Sequence, residues 1–236
     1  EKVGEEGADG FLLTKLDDLM WLFNIRGCDV ECNPVAMCYA YLTKDETILF
    51  IQKSALGKAV EDDLAAKGIR VEEYGGIVDY LGALPQGGRV LVDGRYCSYC
   101  LYKTLAGRQT MVEKKNPTEL LKAVKNPVEL ANMEDIILKD SVAVTRFIYW
   151  LKKNIGKTKI TEVSAADRLE ELRREIPEFL GLSFPTIAGY KENAAMMHYE
   201  ATPETAAVLA PEGMLLVDSG GQYRGGTTDV TRTIVL

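Results

Sequence analysis

Two kinds of hydrophobic periodicity divide the chain. From residue 36 to about residue 112, short β-rich runs alternate with helical runs, which is typical of an α/β domain. The predicted elements are strands at 37–43, 47–52 and 90–93, a helix at 54–67 that Gly68 ends, and an earlier short helix that begins at Leu16 and is stopped by Gly27.

The pattern changes at a charged segment, residues 113–125, where we place a domain boundary. Asn126, Pro127 and Glu129 then offer an N-cap, a first-turn proline and an acidic third position, which predict a helix start. That helix is expected to reach Gly156, and a second helix should follow with Ser164 as its N-cap. The expected inward face of the first helix comprises Met133, Ile137, Val144, Phe147, Ile148 and Leu151.

Glycines and strand-forming residues dominate after Pro185. Residues 214–217 and 227–236 are the clearest strands, and we expect them to pair as an antiparallel hairpin. Their connection, residues 219–226, contains four glycines, which permit close approach of the backbone. The last residues have the pattern of a strand inside a sheet, so we expect the fold to continue beyond them. The predicted organisation is an α/β domain over 1–125 and an incomplete α+β domain over 126–236.

Composition and charge narrow the function classes. With 236 residues, 47% of them hydrophobic, the chain can bury a large core and should form two domains. A net charge of -7 argues against a nucleic-acid partner, because no dense basic stripe exists to neutralise phosphates. No apolar run has the length of a membrane span and the first residues lack a signal-peptide pattern, so we expect a cytoplasmic protein with no membrane partner.

The cysteine count does not indicate a disulfide framework. Five cysteines are an odd set, and reduced thiols fit better. Cys97 and Cys100 have C-x-x-C spacing and could join Cys28 and Cys32 in a four-thiolate zinc site. The stronger interpretation is that these residues are small apolar side chains in a core.

Two aspartates are the main candidates for chemistry. Asp218 ends an apolar run and Asp229 lies within a predicted neighbouring strand, so both carboxylates should leave the sheet at adjacent positions. Buried carboxylates need hydrogen bonds, a cation or a metal, and oxygen ligands suit manganese, cobalt or magnesium. The alternative is that Asp218 opens a glycine turn and Asp229 pairs with Arg232 or Arg224.

The chain has one histidine, His198, which excludes a three-histidine zinc site within these residues. Such a residue is more often packed or hydrogen-bonded than catalytic. Its near-neutral pKa in the free amino acid nevertheless suits proton exchange or hydrogen bonding to a developing charge.

Three segments resemble one family. Residues 215–233, LLVDSGGQYRGGTTDVTRT, resemble the signature around two metal-ligating aspartates in the aminopeptidase P group of the creatinase or "pita-bread" peptidases. HYEATPET at 198–205 and LDDLMWLFNIRGCDVECNPV at 16–35 extend the resemblance to the cytosolic three-domain branch, nearly from end to end. It implies a creatinase/prolidase-type α/β domain followed by the first half of a pita-bread fold.

The resemblance also implies roles. Asp218 would be a bidentate ligand of one metal, Asp229 would bridge two divalent ions, expected to be Mn²⁺, and His198 would bind substrate near the scissile bond. A bridging hydroxide would attack the bond before proline in peptides with proline at position two. The family completes its site with one histidine and two glutamates from later segments, so we expect these residues alone to be inactive. A homodimer is compatible with the resemblance.

Two other functions stay open. Prolidase and creatinase share the fold and are the nearest enzymatic alternatives, although residues 16–35 favour the aminopeptidase branch. A module that binds peptides or proteins without catalysis is an alternative of a different class. Retention of Asp218, Asp229 and His198 counts against that module.

Overall fold

A computed structural model describes residues 1–236, which form two compact units, Glu1–Val124 and Lys125–Leu236. Both units combine helices with sheets, so the expected mixed α/β class is confirmed. In chain order the first unit contains α1 Lys2–Glu5, β1 Gly10–Leu13, α2 Leu16–Phe23, β2 Cys38–Thr43, β3 Thr47–Ile51, α3 Lys58–Ala66, β4 Ile69–Glu73, α4 Ile77–Ala83, β5 Arg89–Val92, α5 Tyr99–Ala106, β6 Thr110–Glu113 and α6 Pro117–Ala123.

The first unit is built on one six-stranded sheet with the order β4-β3-β2-β1-β5-β6. Only β2 runs against its neighbours. Successive side chains of a strand point to opposite faces. Leu13 therefore enters a core shared with α2 and α3, whereas Leu12 enters a second core shared with α4 and α5. Helices thus cover both faces of the sheet.

Two predicted helix boundaries in this unit need correction. Helix α2 ends at Asn24, which adopts a left-handed conformation with φ 52°, and not at Gly27. An asparagine can provide this C-terminal stop because its short polar side chain tolerates positive φ. The helix predicted from residue 54 begins at Lys58, after a single 3-10 turn at Lys53–Ala55. The charged segment 113–125 contains helix α6, which packs on α2.

The second unit contains two helices and two three-stranded sheets, ordered β11-β10-β7 and β12-β9-β8. Phe147, Leu169 and Leu215 belong to one core between the helices and the second sheet. The elements are α7 Pro127–Asn154, α8 Glu162–Arg174, β7 Phe179–Leu182, β8 Ile187–Tyr190, β9 Met214–Ser219, β10 Gly221–Tyr223, β11 Gly226–Thr227 and β12 Val230–Val235.

Both helix starts follow capping chemistry. Asn126 and Glu129 form the capping box that the sequence predicted for α7. In α8 the N-cap is Thr161, and Ser164 is its partner three residues into the helix, so the predicted cap residue is wrong. The inward face of α7 also differs, since Ile136 is buried while Ile137 is 50% exposed.

No helix of the structure combines the length and the apolar character needed to cross a membrane.

Candidate metal centre

The two candidate aspartates lie at one end of a hairpin formed by β9 and β12. Thr231 pairs directly with Asp218, and its hydroxyl donates a 2.7 Å hydrogen bond to Oδ1 of that carboxylate. Asp229 lies two residues before Thr231. Asp229 directly precedes Val230, the first residue of β12, which pairs with Ser219, so Asp229 adjoins the same end of the hairpin as Asp218. The predicted antiparallel hairpin is confirmed.

The placement of Asp229 corrects the sequence prediction. It stands just before β12 and not inside a strand, because β11 is a separate strand that pairs with β10. Asp218 is half-buried and Asp229 is exposed, so the expected cost of burying two unpaired carboxylates does not arise in this structure. Arg232 donates to the carbonyl oxygen of Thr231 at 2.7 Å.

A narrow backbone crossing fixes this end of the hairpin. The Ser183 amide donates to the carbonyl of Gly220 at 3.1 Å, and the Ser183 hydroxyl donates to the carbonyl of Thr228 at 2.9 Å. The Gly221 amide donates to the Thr228 hydroxyl at 3.0 Å. A Cβ at Gly220 would lie 1.9 Å from the Thr228 carbonyl oxygen, so only glycine fits there. This crossing separates the β10–β11 pair, called here the β10–β11 extension, from the β9–β12 hairpin. Asp229 directly follows Thr228, and Asp218 lies two residues before Gly220.

A buried ionic cluster anchors the β10–β11 extension to the helices. Asp140 of α7 accepts 2.7 and 3.3 Å hydrogen bonds from Nε and Nη2 of Arg173 in α8. The Tyr223 hydroxyl donates to the same carboxylate at 2.6 Å. Asp140 and Arg173 are 1% and 0% exposed. Burial and the hydrogen bond to Asp140 raise the pKa of Tyr223. This cluster is not among the residues predicted from the sequence, although an aspartate on the apolar face of α7 is a usable signal.

His198 lies in a surface loop between β8 and β9. Its side chain is exposed and its backbone is left-handed, with φ 58°. No hydrogen bond or ion pair joins His198 to Asp218 or Asp229. The structure therefore places the two aspartates at the same end of one hairpin and shows no hydrogen bond or ion pair between them and the histidine.

A second buried carboxylate organises the loop that contains His198. Glu162, at the start of α8, is 0% exposed. It accepts hydrogen bonds from the backbone amides of Tyr190 at 2.7 Å and Ala207 at 2.8 Å. The Tyr199 hydroxyl also donates to it at 2.8 Å, as does Nδ2 of Asn193 at 3.1 Å. No sequence pattern singles out Glu162, because a glutamate in the first turn of a helix is ordinarily solvated.

The cysteines do not form a metal site. All five are free, and Cys28 and Cys100 are exposed. Burial raises the pKa of Cys97 to about 11, which disfavours the thiolate that zinc binds. No group of three or more histidine, cysteine, aspartate or glutamate side chains in the structure could hold a metal ion, so the four-thiolate alternative is wrong.

Comparison with known proteins gives consistent results for both units. Residues 1–129 match the creatinase/prolidase N-terminal domain, and residues 131–236 match metallopeptidase family M24. Aminopeptidase P1 of Arabidopsis thaliana is 33% identical over 99% of this chain and 43% of its own length. Xaa-Pro aminopeptidase 1 of Dictyostelium discoideum is 36% identical over 99% of this chain and 38% of its own length.

A solved structure extends this likeness to three dimensions. The X-prolyl aminopeptidase of Caenorhabditis elegans, described as a cytosolic enzyme with a di-nuclear active site, superposes with a TM-score of 0.92. It is 28% identical and covers 99% of this chain, which spans 39% of it. The chain thus corresponds to about two fifths of these relatives. Because the creatinase/prolidase N-terminal domain matches more than half of its residues, the chain belongs to the creatinase/prolidase N-terminal domain family, and most of its remaining residues match metallopeptidase family M24.

Proposed function

We propose that the protein containing this chain is an Xaa-Pro aminopeptidase, which hydrolyses the bond between an N-terminal residue and a following proline. Its substrates would be peptides with proline at position two. The relatives named as Xaa-Pro aminopeptidases support this activity, and the C. elegans relative supports a di-nuclear centre and a cytoplasmic location. We also propose that the protein forms a homodimer, and the family resemblance is the support for this proposal.

The observation that carries the proposal is that Asp218 and Asp229 lie at the same end of the β9–β12 hairpin. The Thr231 hydroxyl donates a hydrogen bond to Oδ1 of Asp218, while Oδ2 of Asp218 and both carboxylate oxygens of Asp229 accept no hydrogen bond. Carboxylate oxygens of this kind fit a hard or borderline divalent ion. We therefore assign Asp218 and Asp229 as metal ligands, and we propose Mn²⁺ as the ion at both positions of a di-nuclear centre. The other ligands would come from parts of the protein outside these residues.

The side chains of this chain would have distinct tasks. When bound, two divalent ions supply Lewis-acid polarisation of the scissile carbonyl and lower the pKa of a water molecule. Thr231 orients the Asp218 carboxylate through its hydroxyl. His198 is assigned to bind the substrate beside the scissile bond, where an imidazole can hydrogen-bond to charge that develops in the transition state.

The test uses a protein that includes the complete catalytic domain. We expect His198→Ala to lower kcat on an Xaa-Pro peptide by about 100-fold or more while metal content stays near normal. Asp218→Asn and Asp229→Asn should lower both activity and metal content, because each removes a charged ligand. Asp167→Asn is the matched control, since Asp167 is exposed on α8.

The outcomes separate the assignments. Parallel loss of metal and activity in His198→Ala would make His198 a ligand, and unchanged activity would make it structural. A metal-loaded parent protein that binds Xaa-Pro peptides but does not hydrolyse them would favour the non-catalytic binding module. Hydrolysis confined to dipeptides would favour a prolidase.

A further inference from the structure

Glu162 is the buried carboxylate of the second unit that has no cationic partner. It is fully inaccessible to solvent, and none of the ion pairs in the structure includes it. A buried carboxylate without a counter-charge is costly unless donors surround it. Here both oxygens are saturated by neutral donors: Tyr190 N and Asn193 Nδ2 on Oε1, and Tyr199 Oη, Ala207 N and a second, 3.3 Å contact from Asn193 Nδ2 on Oε2.

The positions of these donors along the chain explain what the carboxylate does. They bracket one segment, residues 190–207, at its beginning, its end and two points between. The Glu162 amide donates to the Ala207 carbonyl at 3.1 Å, and Thr161 forms a β-bridge with Val208, so the end of the segment is also tied to the start of α8 through the backbone. A loop of this length would otherwise have many conformations.

No hydrogen bond or ion pair of its own fixes the position of His198. It is exposed and makes no hydrogen bond. Its backbone has a left-handed conformation, which residues other than glycine adopt at a cost in free energy. The next residue, Tyr199, donates directly to Glu162, so the restraint acts within one residue of the imidazole.

We propose that Glu162 is a positioning residue that fixes the conformation of the 190–207 loop and thereby the location of His198. This inference rests on the proposed function only in its second part, since the restraint of the loop is a property of the chain itself. Glutamine is the informative replacement because it keeps the size of the side chain. In Glu162→Gln an amide nitrogen would replace one of the two carboxylate oxygens. Because this nitrogen is a donor and cannot accept, the hydrogen bonds that the replaced oxygen accepts would be lost.

The first experiment measures native-state amide hydrogen exchange in the 236-residue chain. We expect Glu162→Gln to accelerate exchange at the amides of Tyr190 and Ala207 by about 10- to 100-fold, because both donate to the carboxylate. Amides in β9 and β12 should keep their protection, which distinguishes loosening of the loop from loss of the fold. Glu171→Gln is the matched control, because Glu171 lies on the same helix, 61% exposed, in a surface pair with Arg168. Unchanged exchange at both amides would overturn the proposal.

The second experiment links the restraint to His198 in a protein with the complete catalytic domain. We expect Glu162→Gln to lower kcat by about tenfold or more at normal metal content, and Tyr199→Phe to have a smaller effect, because it removes one donor. In a His198→Ala background, Glu162→Gln should lower kcat little further, since the two residues act through one group. Independent, multiplicative losses would overturn the positioning role. An unsubstituted parent inactive on Xaa-Pro peptides would refute the proposed function and leave the exchange result to decide the first part.

Discussion

Tyr223→Phe tests the anchor between the glycine-rich extension and the helices. The substitution keeps the ring, which packs edge-on against Phe179 with centroids 5.6 Å apart, and deletes the hydroxyl that donates to Asp140 at 2.6 Å. Asp140 keeps both hydrogen bonds from Arg173. A hydrogen bond to a charged group contributes about 1.5–3 kcal/mol. Because the acceptor is almost completely buried and water cannot replace the lost donor, we expect a loss of about 2 kcal/mol of unfolding free energy in the second unit.

The assay can be confined to that unit because each unit contains one tryptophan, Trp21 and Trp150. In a Trp21→Phe background, the fluorescence of Trp150 reports urea unfolding of the second unit alone. With a slope of about 1–3 kcal/mol per molar urea, the expected loss lowers the midpoint by roughly 1 M. Tyr149→Phe is the matched control, since Tyr149 is 64% exposed on α7 and should change stability by less than about 0.5 kcal/mol.

Asp140→Asn tests the charge pair of the same cluster. Asp140→Asn should destabilise more than Tyr223→Phe, by about 3–5 kcal/mol, because it leaves the buried Arg173 guanidinium without a counter-charge. If Tyr223→Phe were indistinguishable from Tyr149→Phe, the hydroxyl would not be an anchor. If Asp140→Asn were milder than Tyr223→Phe, the cluster would not be held by its charge pair.

Three further predictions concern other parts of the chain. Gly220→Ala should destabilise the second unit by more than about 2 kcal/mol in the same urea assay, because the new Cβ would lie 1.9 Å from the Thr228 carbonyl oxygen; a midpoint within error of the parent would contradict the tight crossing. A fragment containing residues 1–124 should unfold cooperatively by circular dichroism, since its cores lie within that range; a non-cooperative transition would contradict this. Hydrogen bonds from Arg95 lower the pKa of Asp93 from 3.8 to about 2, so the stability this residue contributes is present above about pH 4 and is lost as pH falls towards 2. Because Arg95 is 48% exposed and solvent screens the pair, the contribution of Asp93 to the unfolding free energy should be about 1–2 kcal/mol. In Asp93→Asn the unfolding free energy should therefore fall less steeply than in the parent as pH decreases from about 4 to about 2. The same dependence of unfolding free energy on pH in both proteins would contradict this prediction.

Local chemistry explains which elements could be predicted. The start of α7 follows from Asn126 and Glu129, whose capping interactions involve residues three apart. The β2–β3 pair follows from two β-rich runs separated by a short turn, and the predicted strands 37–43 and 47–52 are confirmed within one residue. Such features depend on neighbours in sequence, so periodicity and capping rules are sufficient to find them.

The predictions were wrong where the local sequence fits more than one structure about equally well. Ile136 and Ile137 are both apolar and adjacent, and only the packing of α7 against the β10–β11 extension, where Ile136 lies beside Gly225, decides that Ile136 is buried. Most of residues 227–236 favour extended structure, yet the crossing at Gly220 and Thr228 divides them and leaves Asp229 outside both β11 and β12. Strand propensity cannot detect this break because a contact between distant residues imposes it.

The sequence by itself determined the two-part organisation of the pattern, the β9–β12 hairpin and the choice of Asp218, Asp229 and His198 as candidates. Tertiary structure alone decided how those residues are supported. The Tyr223–Asp140 hydrogen bond joins residues 83 positions apart, and the Glu162–Ala207 hydrogen bond joins residues 45 apart. Whether a carboxylate is solvated or buried among donors depends on which distant segments fold over it, and no local pattern of side chains contains that information.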